Sequence, residues 1–397
     1  MVRERVSSSA PGTMPGYSPA ALIDTEDPAM KILQIAPLWE SVPPPAYGGT
    51  EAVVHLLVEE LVRRGHEVTL CASGDSQTSA LLQACYHRSL RTADDIELKA
   101  LFSWQHCALA LKDAAEYDIV HNHAGEEVMA LSHLVSAVPM LTTMHNIITA
   151  DAQFVWDRYS GYYNTLSLAE RRAMPAVSGG IFAGVAYNAI DVRSFPFQEK
   201  KDDYLLFLSR LSPEKGPHLA VEVAKRTGRR LFLAGKVGEL DREFFNSVMA
   251  PLIDGEQIVF LGEADAEMKR ELYRNAHAVV LPIMWDEPFG LVTAEAQACG
   301  TPVLTFNRGA AAEIVENGLT GFVTDNVDQM TDAAGRLAEI DPRACRRHVE
   351  ERFDGPVMAN QYLRLYESIL RGRAGQALDK AVVATPGHGL GEPARVA

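Results

Sequence analysis

A strand–turn–helix stretch around Glu287 most constrains what this chain can fold into. The apolar run 278–282 is typical of a buried strand. Pro288 and Gly290 interrupt the chain soon after it, and residues 291–299 have the composition of a helix that ends at a glycine. Glu287 is therefore predicted to lie in a turn between a strand and the first amides of a helix. Open parallel sheets bind ligands, anionic ones in particular, at this position.

A second carboxylate, Glu295, follows Glu287 by eight residues. On a helix it would lie roughly 7 Å along the axis from the amides of Phe289, Gly290 and Leu291. This spacing suits one carboxylate beside a sugar and the other beside a ribose, with phosphates between them.

The pattern Glu-x7-Glu within Glu-Pro-Phe-Gly-Leu, followed by Gly-Thr-Pro-Val at 300–303, resembles the signature of retaining family 4 glycosyltransferases. That resemblance implies the GT-B fold, an α/β architecture of two Rossmann-like doubly wound domains facing a central cleft. A chain of 397 residues has room for two domains. The expected divisions are disordered ends at 1–29 and 372–397, an acceptor domain at 30–192, a linker at 193–203, a donor domain at 204–354, and a helix at 355–371 crossing back to the first domain.

The loop 209–216, Ser-Arg-Leu-Ser-Pro-Glu-Lys-Gly, carries two cations five residues apart after an apolar strand. Arg210 and Lys215 could converge on a phosphate pair, or they could belong to an ordinary surface charge cluster. The loop matches the donor-diphosphate loop of family 4 glycosyltransferases, which favours the first interpretation. Gly235 and Lys236 follow the next strand and are predicted to form a wall of the nucleotide pocket.

The first domain begins with a strand, a glycine-containing loop and a helix that Thr50 is predicted to cap. Gly48 and Gly49 could form a simple tight turn, or a backbone segment that approaches a diphosphate or an acceptor closely. In family 4 glycosyltransferases a loop at this position faces the cleft, so the resemblance favours the second interpretation. It places Gly49 at the donor, and Tyr47 and Gly48 at the acceptor.

Two strands of the first domain end in histidine. His121 and His123 lie on one face of the strand 118–123 if side chains alternate, and either could be an ordinary hydrogen-bonded strand-end residue. The resemblance places the second of them near the transferred sugar. His145 has a weaker claim of the same kind. Trp156, in an aromatic-rich stretch, could contact an acceptor or simply pack a loop. The segment 165–168 is predicted to be a strand.

Composition limits the partners. The net charge of -15 argues against nucleic acid and anionic membranes as general partners. No apolar run is long enough to cross a bilayer, and residues 1–29 lack the apolar region of a secretory signal. The five cysteines show no paired spacing, which indicates reduced thiols in a cytoplasmic protein. A small soluble acceptor is therefore favoured, and the sequence leaves monomer and homodimer open.

The resemblance predicts a hexosyltransferase that uses a nucleotide-diphosphate sugar, UDP-glucose first and GDP-mannose next. Glu287, His123, Arg210 and Lys215 are its predicted catalytic residues. No Asp-x-Asp occurs to hold a metal across a diphosphate, so the reaction is expected to need no metal and no cofactor beyond the co-substrate. The alternatives are a GT-B nucleotide-sugar 2-epimerase and a nucleotide-sugar-binding module without activity.

Overall fold

A computed structural model of the chain describes residues 29–45, 48–135 and 137–372. Tyr47, one of the predicted acceptor residues, lies outside them, as do the predicted disordered ends almost entirely. The strands of the first sheet are Lys31–Ile35 (β1), Glu67–Ala72 (β2), Leu81–Ala84 (β3), Ile119–Asn122 (β4), Met140–Thr143 (β5), Tyr162–Thr165 (β6) and Ile181–Val185 (β7). Those of the second sheet are Tyr204–Leu208 (β8), Arg230–Ala234 (β9), Ile258–Phe260 (β10), Ala278–Leu281 (β11), Val303–Phe306 (β12) and Gly321–Thr324 (β13).

Helices alternate with these strands. In the first half of the chain they are Gly49–Arg63 (α1), Lys99–Lys112 (α2), Glu126–Leu131 (α3), Ala150–Trp156 (α4) and Leu168–Ala173 (α5). In the second half they are Pro217–Thr227 (α6), Arg242–Phe244 (α7), Ala266–Asn275 (α8), Leu291–Ala298 (α9), Ala311–Ile314 (α10), Val327–Ala334 (α11), Pro342–Arg352 (α12) and Gly355–Leu370 (α13).

Within the described residues, both sheets are parallel throughout. Their strand orders are β3-β2-β1-β4-β5-β6-β7 and β10-β9-β8-β11-β12-β13. In each sheet the strand order reverses direction beside the first strand, which is the point where doubly wound sheets bind ligands. Two apolar clusters serve each sheet, because parallel strands are covered on both faces. The predicted pair of Rossmann-like α/β domains is confirmed.

Two local predictions were wrong. Helix α1 begins at Gly49, and Gly48 is its N-cap, with no side chain capping the helix. Thr50 therefore lies inside the first turn. The segment predicted as a strand at 165–168 contains the start of a helix, since β6 stops at Thr165 and the Ser167 side chain caps α5. A serine followed three residues later by glutamate is a helix-start pattern, and here it ended the strand.

Helix α13, at the end of the described chain, packs on the first domain. It contacts α1 and β7, and Met358, Tyr362 and Tyr366 are buried in the core of the first sheet. The Arg64 guanidinium of the α1 end donates a 2.7 Å hydrogen bond to the Pro356 carbonyl. The C-terminal helix thus completes the core of the N-terminal domain and joins the two domains.

No helix among the described residues combines the length and apolar character that crossing a bilayer requires.

Met358→Ala should destabilise the protein by about 2–5 kcal/mol, because it removes a fully buried side chain and leaves a cavity in the first core. The measurement is the free energy of unfolding in urea. Leu370→Ala, on an exposed position of the same helix, should change it by no more than about 0.5 kcal/mol. If the two substitutions changed the free energy of unfolding by equally small amounts, the packing of α13 on the first domain would be contradicted.

Candidate functional site

An ion pair joins the loops after two neighbouring strands of the second sheet. The Lys215 ammonium, in the loop after β8, contacts the Glu287 carboxylate, in the loop after β11. The Trp285 indole N–H donates to the same carboxylate oxygen at 3.0 Å, and Lys215 Nζ lies 4.9 Å from the centre of the Trp285 ring. The two charged side chains are 16% and 18% exposed, so both can be reached from the cleft. The predicted cation loop and the predicted carboxylate therefore meet.

Glycine at 309 fixes the backbone that carries Glu287. Gly309 has φ of 54°, and a Cβ there would lie 2.4 Å from both the amide nitrogen and the carbonyl oxygen of Glu287. The Gly309 amide donates to Asp286 Oδ1 at 3.1 Å, and the Ala310 amide donates to the Glu287 carbonyl at 2.9 Å. The loop after β12 thus holds the Glu287 turn from behind.

The other predicted phosphate ligand, Arg210, is paired with carboxylates of its own domain. Its guanidinium contacts Glu214, and its Nε lies 3.7 Å from Asp241 Oδ2. The Ser212 hydroxyl donates to Glu214 at 2.7 Å. Both cations of the loop are therefore neutralised by neighbouring carboxylates, and a diphosphate would have to replace Glu214 or Glu287 as their partner.

The start of helix α9 presents amides beside this pair. Its N-cap, Gly290, has φ of 88° and no side chain caps the helix, which leaves the first amides available to an anion. The Phe289 side chain is buried and packs on Phe353, with ring centres 5.5 Å apart. Gly49 of the first domain lies opposite, since a Cβ there would be 3.4 Å from Leu291 Cδ1. The two glycine-containing turns face each other across the cleft.

Glu295 lies one turn into α9 and is only 8% exposed. Lys269 Nζ donates to its Oε1 at 2.7 Å, and the Tyr273 hydroxyl donates to its Oε2 at 2.9 Å. Each oxygen keeps a second lone pair. The side chain predicted to hold a ribose is therefore held rigidly by helix α8.

The predicted wall after β9 approaches the cation loop through its backbone. A Cβ on Gly235, whose φ is 150°, would lie 1.8 Å from the Ser209 carbonyl oxygen. The Leu211 amide donates to the Lys236 carbonyl at 2.9 Å. The Lys236 side chain is exposed. Only glycine fits beside the strand end here, which keeps the loop of Arg210 against β9.

In the first domain, the three predicted histidine positions form a buried polar network. His121 and His123 share a strand face as predicted, with ring centres 3.9 Å apart. His123 Nδ1 lies 2.9 Å from His145 Nε2, and His123 Nε2 lies 2.9 Å from Gln34 Oε1. Both nitrogens of His123 are thus satisfied by protein, and His145 is the more exposed of the two imidazoles.

The network continues onto helix α13. Gln34 Nε2 donates to the Tyr366 hydroxyl at 3.0 Å, and that hydroxyl lies 2.6 Å from His121 Nδ1. His121 Nε2 lies 2.7 Å from the Thr143 hydroxyl, which donates onward at 2.8 Å. With the Gln34 amide in this orientation, every hydrogen bond of the network is donated in the same direction along the chain of side chains, from His145 towards Thr143. His123 then carries its proton on Nε2 and accepts at Nδ1 from His145.

Burial determines the charge state of this network. Desolvation holds the pKa of His121 and of His123 well below the ordinary value, and lowers that of His145 to about 4. All three imidazoles are therefore neutral at physiological pH. They can orient a hydroxyl or pass on a hydrogen bond, and they add no positive charge to the cleft.

The structure places Trp156 in the core and not at the cleft. It is 2% exposed, its indole N–H donates to Glu126 at 3.0 Å, and its ring packs edge-on against Tyr163. The packing interpretation of the aromatic stretch is the one that the structure supports. Gly48 lies at the turn before α1, where a Cβ would lie 2.7 Å from Pro44.

Two family profiles match the chain in succession. The profile described as Glycosyltransferase Family 4 matches residues 47–182, and the one described as Glycosyl transferases group 1 matches residues 191–347. The chain belongs to the family 4 glycosyltransferases of GT-B architecture.

Curated relatives of this glycosyltransferase include the glycogen synthase of Mycobacterium tuberculosis, 27% identical over 86% of this chain and 96% of the relative. The D-inositol 3-phosphate glycosyltransferase of Acidothermus cellulolyticus is 26% identical over 60% of this chain and 63% of the relative. The putative glycosyltransferase YtcC of Bacillus subtilis is 28% identical over 47% of this chain, and the match spans about half of that relative, 54%.

Solved structures show the same fold. AviGT4, a glycosyltransferase involved in avilamycin A biosynthesis, superposes with a TM-score of 0.68 at 26% identity, over 86% of this chain and 98% of that one. Anabaena Alr3699/HepE in complex with UDP and glucose gives a TM-score of 0.62 at 19% identity, over 85% and 100% of the two chains.

The sequence motifs do not point to several residues of the glycosyltransferase site. Trp285 stands two residues before Glu287, and its indole contact could have been suspected from that proximity. Gln34 and Tyr366 are brought to the histidines by tertiary packing alone. Among the described residues no group of three or more metal-ligating side chains comes together.

His145→Gln should reduce the pH dependence of stability. Because the pKa of His145 is about 4 in the folded chain and near 6.5 unfolded, the unfolded state binds more protons in that window and stability falls as pH falls. The variant should lower the slope of unfolding free energy against pH by up to about 1.4 kcal/mol per unit there.

The measurement is urea unfolding at a series of pH values from 4.5 to 8.5. Above about pH 7.5 the curves of unfolding free energy against pH should run parallel for the wild type and the variant, since His145 is neutral there in both the folded and the unfolded state. Parallel curves over the whole range would contradict the burial of this imidazole.

Proposed function

We propose that this enzyme transfers a hexose from a nucleotide-diphosphate sugar to a hydroxyl of a small soluble acceptor, with retention at the anomeric carbon and without a metal ion. UDP-glucose is the first candidate donor and GDP-mannose the next. The observation that carries the proposal is the meeting of Lys215 with Glu287 beside the uncapped start of α9. A diphosphate needs a cation and free amides, and a sugar needs a carboxylate for its hydroxyls, so a nucleotide-sugar donor needs both kinds of group side by side.

Arg210, Lys215 and the amides of residues 289–291 would stabilise the departing diphosphate. Charge-assisted hydrogen bonds and helix amides are strongest where charge develops on the leaving oxygen. The two cations are held by Glu214 and Glu287, so donor binding would exchange one anion for another and would leave no cation unpaired. This supports a donor site that needs no metal.

Glu287, released from Lys215, would hydrogen-bond the sugar hydroxyls and add negative potential beside the anomeric carbon. Glu295 would hold the ribose, fixed by Lys269 and Tyr273. The bond between the anomeric carbon and the diphosphate oxygen breaks, the acceptor oxygen bonds to the same face, and its proton passes to the departing phosphate oxygen. His123 would orient the acceptor through His145, which is the more exposed of the two imidazoles.

The curated relatives leave the acceptor of this proposal open. Glycogen synthase and D-inositol 3-phosphate glycosyltransferase are names that imply different acceptors, so no acceptor is carried over from them. The five cysteines are free in the structure, which supports a reducing compartment such as the cytoplasm.

Calorimetric titration with UDP, GDP and ADP, each with and without EDTA, tests the donor site. A micromolar preference for UDP that EDTA does not change is expected, because cations and amides hold the diphosphate. A preference for GDP would move the donor to GDP-mannose. If none of the three nucleotides bound, the diphosphate loop would be misassigned and the proposed function with it.

Glu287→Gln should reduce transfer at least about a hundredfold, since it removes a charge that acts on the transition state. Its UDP affinity should equal or exceed that of the wild type, because Lys215 loses its competing partner. Lys215→Ala should weaken UDP binding about tenfold or more. Initial rates and calorimetry give the two readouts.

Lys225→Ala, an exposed lysine on α6, is the matched control and should change neither readout. Retained UDP binding with no transfer and no donor hydrolysis in the wild type would instead support a binding module without activity. Near-normal turnover in Glu287→Gln would refute the role given to that carboxylate.

A further inference from the structure

We propose that a cavity between the two domains is the acceptor site, and that the acceptor is a hydroxyl attached to a flat apolar group. This inference rests on the proposed function, which leaves the acceptor's chemistry open. Neither the sequence motifs nor the donor loops point to this cavity.

The cavity has a volume of about 540 Å³ and is lined by both domains. Its first-domain wall comes from the loop after β5 and from the end of α5, and its second-domain wall comes from the loop after β11 and from Arg308 in the loop after β12. Most of the lining is apolar, and it includes the side chains of Met144, Ile147, Ile148, Met174, Met284 and Trp285. Ile147 and Met284 belong to the exposed large hydrophobic residues of the chain, so the described residues leave this wall uncovered. A volume of this size suits a small organic molecule.

The cavity lies directly against the sugar-binding carboxylate. Trp285, Asp286 and Pro288, which flank Glu287 in the chain, all line it. Trp285 also donates its indole N–H to Glu287 and contacts Lys215 with its ring. A hydroxyl at the inner end of the cavity would therefore meet a sugar held by Glu287, with the diphosphate on the other side of Trp285.

A buried carboxyl on the wall supplies the polar group that orients a ligand. Glu170 lines the cavity and is only 6% exposed. Its Oε2 accepts a 2.6 Å hydrogen bond from the Leu166 amide, whereas its Oε1 is buried and has no hydrogen-bond partner among the described residues. Burial also raises the pKa of Glu170 to about 8, so at neutral pH the carboxyl is protonated and can donate to a ligand oxygen.

The cavity is framed by a direct contact between the domains. The Glu313 carboxylate of α10 accepts hydrogen bonds from the Leu168 and Ala169 amides at 2.9 and 2.6 Å, and from the Tyr187 hydroxyl at 2.6 Å. These bonds fix the start of α5, and with it Glu170, against the second domain. The space beside them is therefore a defined site, with a neutral donor on its otherwise apolar first-domain wall and the charged residues Asp286 and Arg308 on its second-domain wall.

A flat apolar group fits this site better than a polyhydroxylated ring. A polyol would lose its hydrogen bonds to water and meet mainly methionine and isoleucine side chains, which cannot replace them. An aromatic or alicyclic group would gain from burial against the same side chains and against the Trp285 ring. Among the described residues of the first-domain wall, Glu170 carries the one polar side chain, which matches a ligand that places few oxygens on that side.

The test uses 2-naphthol as an apolar alcohol and myo-inositol as its polar counterpart, each titrated by fluorescence or calorimetry into the full chain saturated with UDP. Saturable binding of 2-naphthol, at least about tenfold tighter than that of myo-inositol, is expected. Met174→Gln and Ile148→Asn should each weaken 2-naphthol binding about tenfold. Leu240→Gln, on an exposed side chain of the second domain, is the control and should leave it unchanged.

Glu170→Gln should keep the binding, because its amide retains both a neutral donor and an acceptor for Leu166. Glu170→Met, of similar size, should weaken it about tenfold. Tighter binding of myo-inositol, or 2-naphthol binding that neither cavity variant changes, would overturn this inference. UDP binding without 2-naphthol binding would overturn the inference alone, whereas failure of UDP itself would remove the proposed function.

Discussion

The ion pair between Lys215 and Glu287 organises the cleft of this glycosyltransferase. Two loops that leave adjacent parallel strands, β8 and β11, each contribute one charge to this pair, and both of these side chains are largely removed from water. A half-buried charge without a partner is strongly destabilising, so each loop conformation depends on the other. The Met284 amide also donates to the Glu214 carbonyl at 2.8 Å, which extends the contact along the backbone.

The ion pair also explains how a site with carboxylates and cations can stay intact without a ligand. A cluster of free cations awaiting a diphosphate would repel itself, whereas pairing each cation with a carboxylate removes that repulsion. The diphosphate then needs only to bind the cations better than the carboxylates do. On the proposed function, Glu287 would be released when a sugar arrives that it can bind.

The first domain is assembled around a second buried network, which depends on residues far apart in the chain. Tyr366 of α13 bonds Gln34 of β1 and His121 of β4. Because α13 follows the whole second domain in the chain, the first domain cannot complete its core until the second has been synthesised. The orientation of His123, and through it of His145, is thereby tied to a helix that also fixes how the two domains are connected.

Local sequence predicted the parts of this structure that local geometry controls. The breaks at Pro288 and Gly290 and the spacing of Arg210 and Lys215 predicted two loops at strand ends, because turns and helix starts are encoded within a few residues. Thr50 failed as a cap because Gly48, with its unusual backbone, starts the helix earlier.

The positions of side chains that depend on long-range packing could not be predicted from the sequence. The sequence leaves Trp156 open between an acceptor contact and the packing of a loop, and its ring lies in the core between elements that periodicity does not bring together. The partners of Glu295 lie on α8, and Glu170 lies on α5, just after the segment 165–168 that is predicted to be a strand. Which side chains reach a cavity is decided by how two sheets and their helices pack, and a single sequence contains no local sign of that.

Glu170 connects domain contact with acceptor chemistry through one short helix. Ser167 caps α5 by accepting from the Glu170 amide at 3.0 Å, and this turn carries the Glu170 side chain back to the Leu166 amide. Glu313 of the second domain binds the next two amides of the same turn. A shift of the second domain would therefore move the start of α5, and the carboxyl that faces the cavity would move with it. If the cavity holds the acceptor as proposed, any closing of the cleft on a donor would also reshape the acceptor wall.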